Sequence, residues 1–152
     1  MAQERNEQST RNIRDVMTAN PECVGEKDSI RDVARIMKNQ DTGVVPVVDG
    51  RKIIGLITDR DIVVRGLAEG KNLENARVNE LMTRSVRSVR EDSTVNEALE
   101  LMSKAEIRRV AVVDNNDELV GIVSIGDIAS QGDQDRRVGK AVEDISEAPP
   151  NN

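Results

Sequence analysis

Two short segments carry the residue types from which a site could be built. Gly55-Leu56-Ile57-Thr58-Asp59-Arg60-Asp61 and Gly121-Ile122-Val123-Ser124-Ile125-Gly126-Asp127 each set a hydroxyl residue three positions before a carboxylate, behind an apolar run. Thr58/Asp61 and Ser124/Asp127 therefore have the spacing of a capping box, which does nothing more than start a helix. The same arrangement also suits a ligand. A hydroxyl at a helix N-terminus lies beside unpaired backbone N–H groups and the positive end of the helix dipole, where a phosphate is favoured. A carboxylate one turn on can accept both hydroxyls of a ribose, in charge-assisted bonds of about 1.5–3 kcal/mol each. The two readings are compatible, because one hydroxyl can cap a helix and still face a ligand.

Other chemistry finds little support. The chain has no histidine, so imidazole acid–base catalysis and His metal ligation are excluded, and no metal site is expected. Cys23 is a lone thiol without an imidazole partner, which argues against a nucleophile. Asp59 and Asp61 stand two apart at a helix start and diverge, unlike a glycosidase carboxylate pair. Met37 and Met102 fall on apolar helix faces and read as core, and no Walker-type glycine-rich loop is present. The expectation is a protein that is not an enzyme, with no catalytic residue and no required cofactor.

The elements that must position the two segments are themselves duplicated. Met17-Thr18 recurs as Met82-Thr83, Val24 as Val89, Ser29 as Thr94, Met37 as Met102, and Val47-Val48-Asp49 as Val112-Val113-Asp114, all at an offset of 65. One extra residue in the second hairpin turn makes the offset 66 from Gly55/Gly121 onward. In the first copy, Ser29 and Asp32 have capping-box spacing ahead of Ile30, Val33, Ala34 and Met37, an amphipathic helix. Val44–Val48 and Ile53–Ile57 read as strands around an Asp49-Gly50 turn, and a second helix is expected from about Asp59 to Ala68. The second copy repeats this with Thr94 and Glu97, then Val95, Ala98, Leu99 and Met102, then strands Val110–Val113 and Leu119–Val123 around Asn115-Asn116-Asp117. The expected organisation is a tail over 1–11, one repeat over 12–68, a linker over 69–76, a second repeat over 77–130, a helix over 131–145 and a tail over 146–152. The fold class is α/β (α+β), two β-α-β-β-α units.

Bulk composition bounds the core and the classes of partner. With 152 residues, 37% hydrophobic and 33% charged, the chain can bury a core, but neither copy is large enough to stand alone. Phe, Trp and Tyr are absent, so Val, Ile, Leu, Met and Ala must build that core, and a ligand base would lie against aliphatic groups or an Arg plane. A net charge of −6 argues against nucleic acid, which needs a cationic surface. The polar N-terminus shows no signal peptide, no apolar run approaches membrane-spanning length, and the single cysteine suits a reducing compartment; a cytoplasmic location is expected.

Asp15-Val16-Met17-Thr18, Val45-Pro46-Val47-Val48-Asp49, the run Gly55 to Ile62 and its echo in the second copy together resemble the CBS domain, named after cystathionine β-synthase. The resemblance spans about residues 12–130 and is similar to the stand-alone bacterial CBS pairs of the hypoxic-response type, as the run from Thr58 to Ala68 suggests. It implies a Bateman module, in which two repeats pack with pseudo-twofold symmetry and leave two equivalent clefts for AMP, ADP, ATP or S-adenosylmethionine. On the same resemblance Thr58/Asp61 serve one cleft and Ser124/Asp127 the other. Thr18, Cys23, Val24, Thr83, Arg87 and Val89 would line the base, and Thr42-Gly43-Val44 with Ile107-Arg108-Arg109 would border the phosphates. A homodimer associating through its helices, and a separate, unknown regulated protein, are the implied partners.

The copies differ where phosphate would sit. The second offers Arg108-Arg109 where the first has Gly43-Val44. Neighbouring strand residues face opposite ways, so one arginine is expected to reach a given cleft directly; alternatively both arginines face solvent or pair with Glu106. Two functions remain open at this point: a non-catalytic, nucleotide-sensing regulator with the Ser124/Asp127 cleft the stronger, or a structural dimerisation module that has lost its ligand.

Overall fold

The computed structural model describes residues 11–130. The helix expected at 131–145 and both tails, Arg11 apart, lie outside the described residues. The chain forms two compact units: Pro21–Val86, here the Thr58 unit, and a Ser124 unit whose described parts are residues 11–20 and 87–130.

In the Thr58 unit, helix α1 (Ile30–Gln40) begins where Ser29 Oγ accepts the N–H of Asp32 at 3.1 Å, the expected cap. It ends at Asp41, whose left-handed φ of 51° breaks the helix. Ile30 and Val33 are buried and Ile36 and Met37 partly so, but Ala34 is exposed. The buried stripe runs through 33, 36 and 37, which turns position 34 to solvent, contrary to the spacing argument. Strands β2 (Val44–Asp49) and β3 (Lys52–Thr58) form an antiparallel hairpin that pairs Val44 with Thr58, and Gly50 supplies the positive φ of its turn. Val45, Val47 and Ile57 are fully buried against Ile30, Val33 and the short helix α2 (Val78–Leu81).

The Ser124 unit repeats the plan. Strand β1 (Thr18–Ala19) pairs antiparallel with β6 (Leu119–Ser124), β6 antiparallel with β5 (Arg109–Val113), and β5 parallel with β4 (Ser88–Arg90). Helix α3 (Val95–Ala105) is capped by Thr94 Oγ1 on the Glu97 N–H at 3.1 Å. Val95, Ala98, Leu99 and Met102 meet Val110, Val112 and Val123 in a core completed by Ile13 and by Ile128 of helix α4 (Ile125–Ser130).

The compact units are cut differently from the sequence repeats, because the heads of the repeats are exchanged. Met17-Thr18 begins the first repeat yet edges the sheet of the second, Thr18 opposite Ile122. Met82-Thr83 begins the second repeat yet lies beside the first, where Leu56 and Thr83 exchange backbone bonds of 2.9 and 2.8 Å. The glycines of the repeat make room for these heads. A Cβ at Gly55 would stand 2.6 Å from Thr83 O, and one at Gly121 would meet Met17 Sδ at 2.5 Å and Thr18 O at 3.0 Å. Since a backbone carbonyl cannot swing aside, Gly55→Ala should cost about 1–3 kcal/mol. That is a melting temperature lower by roughly 2–12 °C, read by circular dichroism; an unchanged melting point would show that the strand yields freely.

Among the described residues, no helix is long and apolar enough to cross a membrane.

Candidate functional site

Both hydroxyl–carboxylate pairs close as reciprocal boxes at the end of a strand. Thr58 N–H donates to Asp61 Oδ2 at 3.0 Å, and Asp61 N–H to Thr58 Oγ1 at 3.1 Å. Ser124 N–H donates to Asp127 Oδ2 and Asp127 N–H to Ser124 Oγ, both at 3.0 Å. Each box uses one carboxylate oxygen and one acceptor site of the hydroxyl. The hydroxyl keeps its own proton to donate.

The surroundings of the two boxes differ. Asp61 is only 9% exposed. Its Oδ1 accepts the Thr83 hydroxyl at 3.4 Å and lies 3.9 Å from Arg65 Nη1, which also donates to the carbonyls of Leu81 and Met82 at 3.2 and 3.1 Å. Arg65 thus ties the carboxylate to the C-terminal end of α2. Sequence reasoning passed over Arg65, although an acid and a base four apart on a helix are an ordinary signal. The segment carrying both, Asp61–Leu67, is π-helical, with Ala68 N–H bonded to Val63 O at 2.8 Å and Lys71 N–H to Gly66 O at 3.0 Å. The expected helix over 59–68 is therefore wound more widely than an α-helix. Asp127 is half-buried at the start of α4.

Beside each box lies the start of the neighbouring strand. Val44 is in register with Thr58, and Arg109 with Ser124. Residues directly opposite in an antiparallel pair share a face. Arg109 therefore stands on the Ser124 side, while Arg108, whose carbonyl accepts Ile125 N–H at 2.9 Å, projects to the other face. Ile107 packs on the core. In the first repeat Thr42 Oγ1 is occupied with Val44, donating to its carbonyl and accepting its N–H, and the Asp59 carboxylate lies against Gly43, where a Cβ would be 3.1 Å from Oδ2.

The remaining candidates divide between the units. Thr18 is exposed on β1 in the unit of Ser124 and Asp127, and Thr83 touches Asp61. Arg87 is exposed and its carbonyl accepts Ala111 N–H at 3.0 Å, beside the start of β5. Val24 and Val89 occupy equivalent places beside β2 and β5; Val24 is part of the core of the Thr58 unit and Val89 packs on the core of the Ser124 unit, which commits both side chains to packing. Cys23 is half-buried, its thiol directed at Pro21 O 3.2 Å away. Burial, and then the charge of Glu22, push that thiol's pKa up, which disfavours the reactive thiolate.

Comparison with known proteins identifies the family. The CBS domain family matches residues 13–66 and again 78–132. The YlbB protein of Bacillus subtilis is 39% identical over 137 residues, covering 89% of this chain and 91% of its own. Hypoxic response protein 1 of Mycobacterium tuberculosis is 38% identical over 117 residues, 76% of this chain and 81% of its own. Among solved structures, hypoxic response protein I with two coordinated zinc ions shares 36% identity at a TM-score of 0.69, covering 78% of this chain and 97% of that one. CBSX2 in complex with AMP shares 25% at 0.68, with coverages of 82% and 97%. The CBS pair of MJ0100 with 5′-methylthioadenosine and S-adenosylmethionine shares 32% at 0.68, with coverages of 80% and 98%. With the duplicated fold, the two boxed hydroxyl–carboxylate pairs and these matches together, the chain belongs to the CBS domain family and carries two copies of the domain.

Proposed function

We propose that this CBS pair is a non-catalytic regulator that senses an adenine nucleotide, with Ser124, Asp127 and Arg109 forming the stronger site. The observation that carries the reading is the register of Arg109 with Ser124, where the first repeat sets Val44 against Thr58. Asp127 accepts the ribose hydroxyls, Ser124 donates to the α-phosphate, and Arg109 supplies the charge that phosphate needs. The AMP complex of CBSX2 and the adenosyl ligands of the MJ0100 pair support this ligand class. Metal is not part of the proposal: the chain has no histidine and one cysteine, and no cluster of three potential ligands occurs among the described residues.

A native-state ligand raises apparent stability by about 2.7 kcal/mol at a hundredfold excess over Kd. A panel of AMP, ADP, ATP and inorganic phosphate should therefore raise the melting temperature by roughly 5–11 °C for nucleotides and not for phosphate. Circular dichroism is the readout, since the chain has no aromatic residue. Unchanged melting across the panel would favour the structural dimerisation module, for which the two boxes serve as helix caps alone.

Self-association belongs to the same proposal. Val63, Val64 and Leu67 are 53%, 42% and 63% exposed along the π-helical segment, an apolar face whose counterparts in the second repeat are Ala129, Ser130 and Asp133. A second copy of the chain is its proposed occupant. Sedimentation should show a dimer that Leu67→Glu converts to monomer, and a dimer that survives this substitution would place the interface elsewhere.

A further inference from the structure

The end of the sheet at which each hydroxyl stands carries opposite charge in the two units. In the Ser124 unit Arg109 is in register with Ser124, and Arg108 and Arg87 stand at the same strand starts. At the matching positions the Thr58 unit has Val44, Gly43 and Glu22. The residue following the hydroxyl is Ile125 in one unit and Asp59 in the other, so two carboxylates stand where the Ser124 unit has the guanidinium groups of Arg109 and Arg87, Arg108 projecting to the other face. Glu22 is exposed and its Oε2 accepts the neutral amide of Gln40, at 3.4 Å. Asp59 lies against Gly43 with Oδ1 on the Arg60 N–H at 2.8 Å; Arg60 contributes one positive charge, and the strand end remains net negative.

A phosphate carried to this end from a ribose held on Asp61 would be repelled by two exposed carboxylates, with no strand-start arginine to meet it. The box itself is intact, and Asp61 Oδ1 retains a second acceptor site beyond the Thr83 hydroxyl. We propose that the Thr58/Asp61 pair selects adenosyl compounds that carry no phosphate, with Glu22 and Asp59 as the residues that turn the phosphorylated ones away. The CBS pair is then a two-channel sensor, reading a nucleotide in one unit and a nucleoside or adenosyl sulfonium in the other. This rests on the adenosine-binding reading given above.

The test is calorimetric titration of the full chain with AMP, adenosine and S-adenosylmethionine, in the wild type and in Asp127→Ala, with Arg109→Ala as a second way to weaken the Ser124 unit. Either variant should lose most AMP binding while still taking up one phosphate-free adenosyl compound per chain, at least about tenfold more tightly than AMP. Adding Glu22→Arg and Asp59→Ile, the residues the second repeat carries, should then recover AMP binding by about tenfold or more. The proposal is overturned if the Asp127→Ala chain binds AMP as tightly as adenosine and S-adenosylmethionine, or if the charge exchange leaves AMP affinity unchanged. If the wild type binds AMP but Asp127→Ala binds neither adenosine nor S-adenosylmethionine, this selectivity falls and the nucleotide site stands. A wild type that binds none of the three defeats both.

Discussion

Asp127→Ala is expected to lower the affinity for AMP by two orders of magnitude or more. Two charge-assisted bonds from the ribose hydroxyls to one carboxylate are worth about 1.5–3 kcal/mol each, and every 1.4 kcal/mol is tenfold in Kd. The fold should survive the change. Asp127 contributes one side of a box at the start of a short helix, and losing such a cap costs about 1 kcal/mol. Affinity and stability therefore separate in this variant, and calorimetry alongside urea unfolding reads both. An Asp127→Ala protein that binds AMP normally would remove the carboxylate from the site.

Asp61→Ala should behave in the opposite sense, with stability the larger casualty. This carboxylate caps its helix, accepts the Thr83 hydroxyl and faces Arg65, which itself anchors the end of α2. Its removal leaves the box open and takes from the half-exposed Arg65 guanidinium the largely buried carboxylate it faces. A loss of about 2–4 kcal/mol follows, reduced from the full value for a buried pair because Arg65 is 47% exposed. Urea unfolding of the two alanine variants side by side gives the comparison. Equal losses for Asp61→Ala and Asp127→Ala would contradict the clamp described for Asp61. Nucleotide affinity, by contrast, should fall far less in Asp61→Ala than in Asp127→Ala.

Most of the local structure was legible in the sequence because it is dictated locally. Ser29 with Asp32 and Thr94 with Glu97 cap α1 and α3 as their spacing predicts, and the four β-branched runs are β2, β3, β5 and β6. The boxes at Thr58/Asp61 and Ser124/Asp127 likewise follow from a three-residue spacing. What escaped was non-local. The exchange of the repeat heads depends on which sheet edge Met17-Thr18 and Met82-Thr83 reach, and the two dipeptides are identical. Only their packing across Gly121 and Gly55 distinguishes the partners. The Asp61/Arg65 spacing is local and was legible, but the rest of the role of Arg65 is not: its acceptors at Leu81 and Met82 lie sixteen and seventeen residues on. The Arg108-Arg109 dipeptide shows both limits. Alternation said that one arginine would face the hydroxyl, but only the register of β5 with β6 identifies it as Arg109.

The central claim is that the second repeat holds a nucleotide because an arginine stands opposite its hydroxyl where the first repeat has a valine. Calorimetric titration of AMP into the wild type and into Arg109→Val, the residue of the first repeat at that position, tests it directly. The account predicts one tight AMP per chain in the wild type and a loss of about tenfold or more in Arg109→Val, consistent with one charge-assisted bond to phosphate. Two equivalent AMP sites in the wild type, or an affinity that Arg109→Val leaves unchanged, would contradict it.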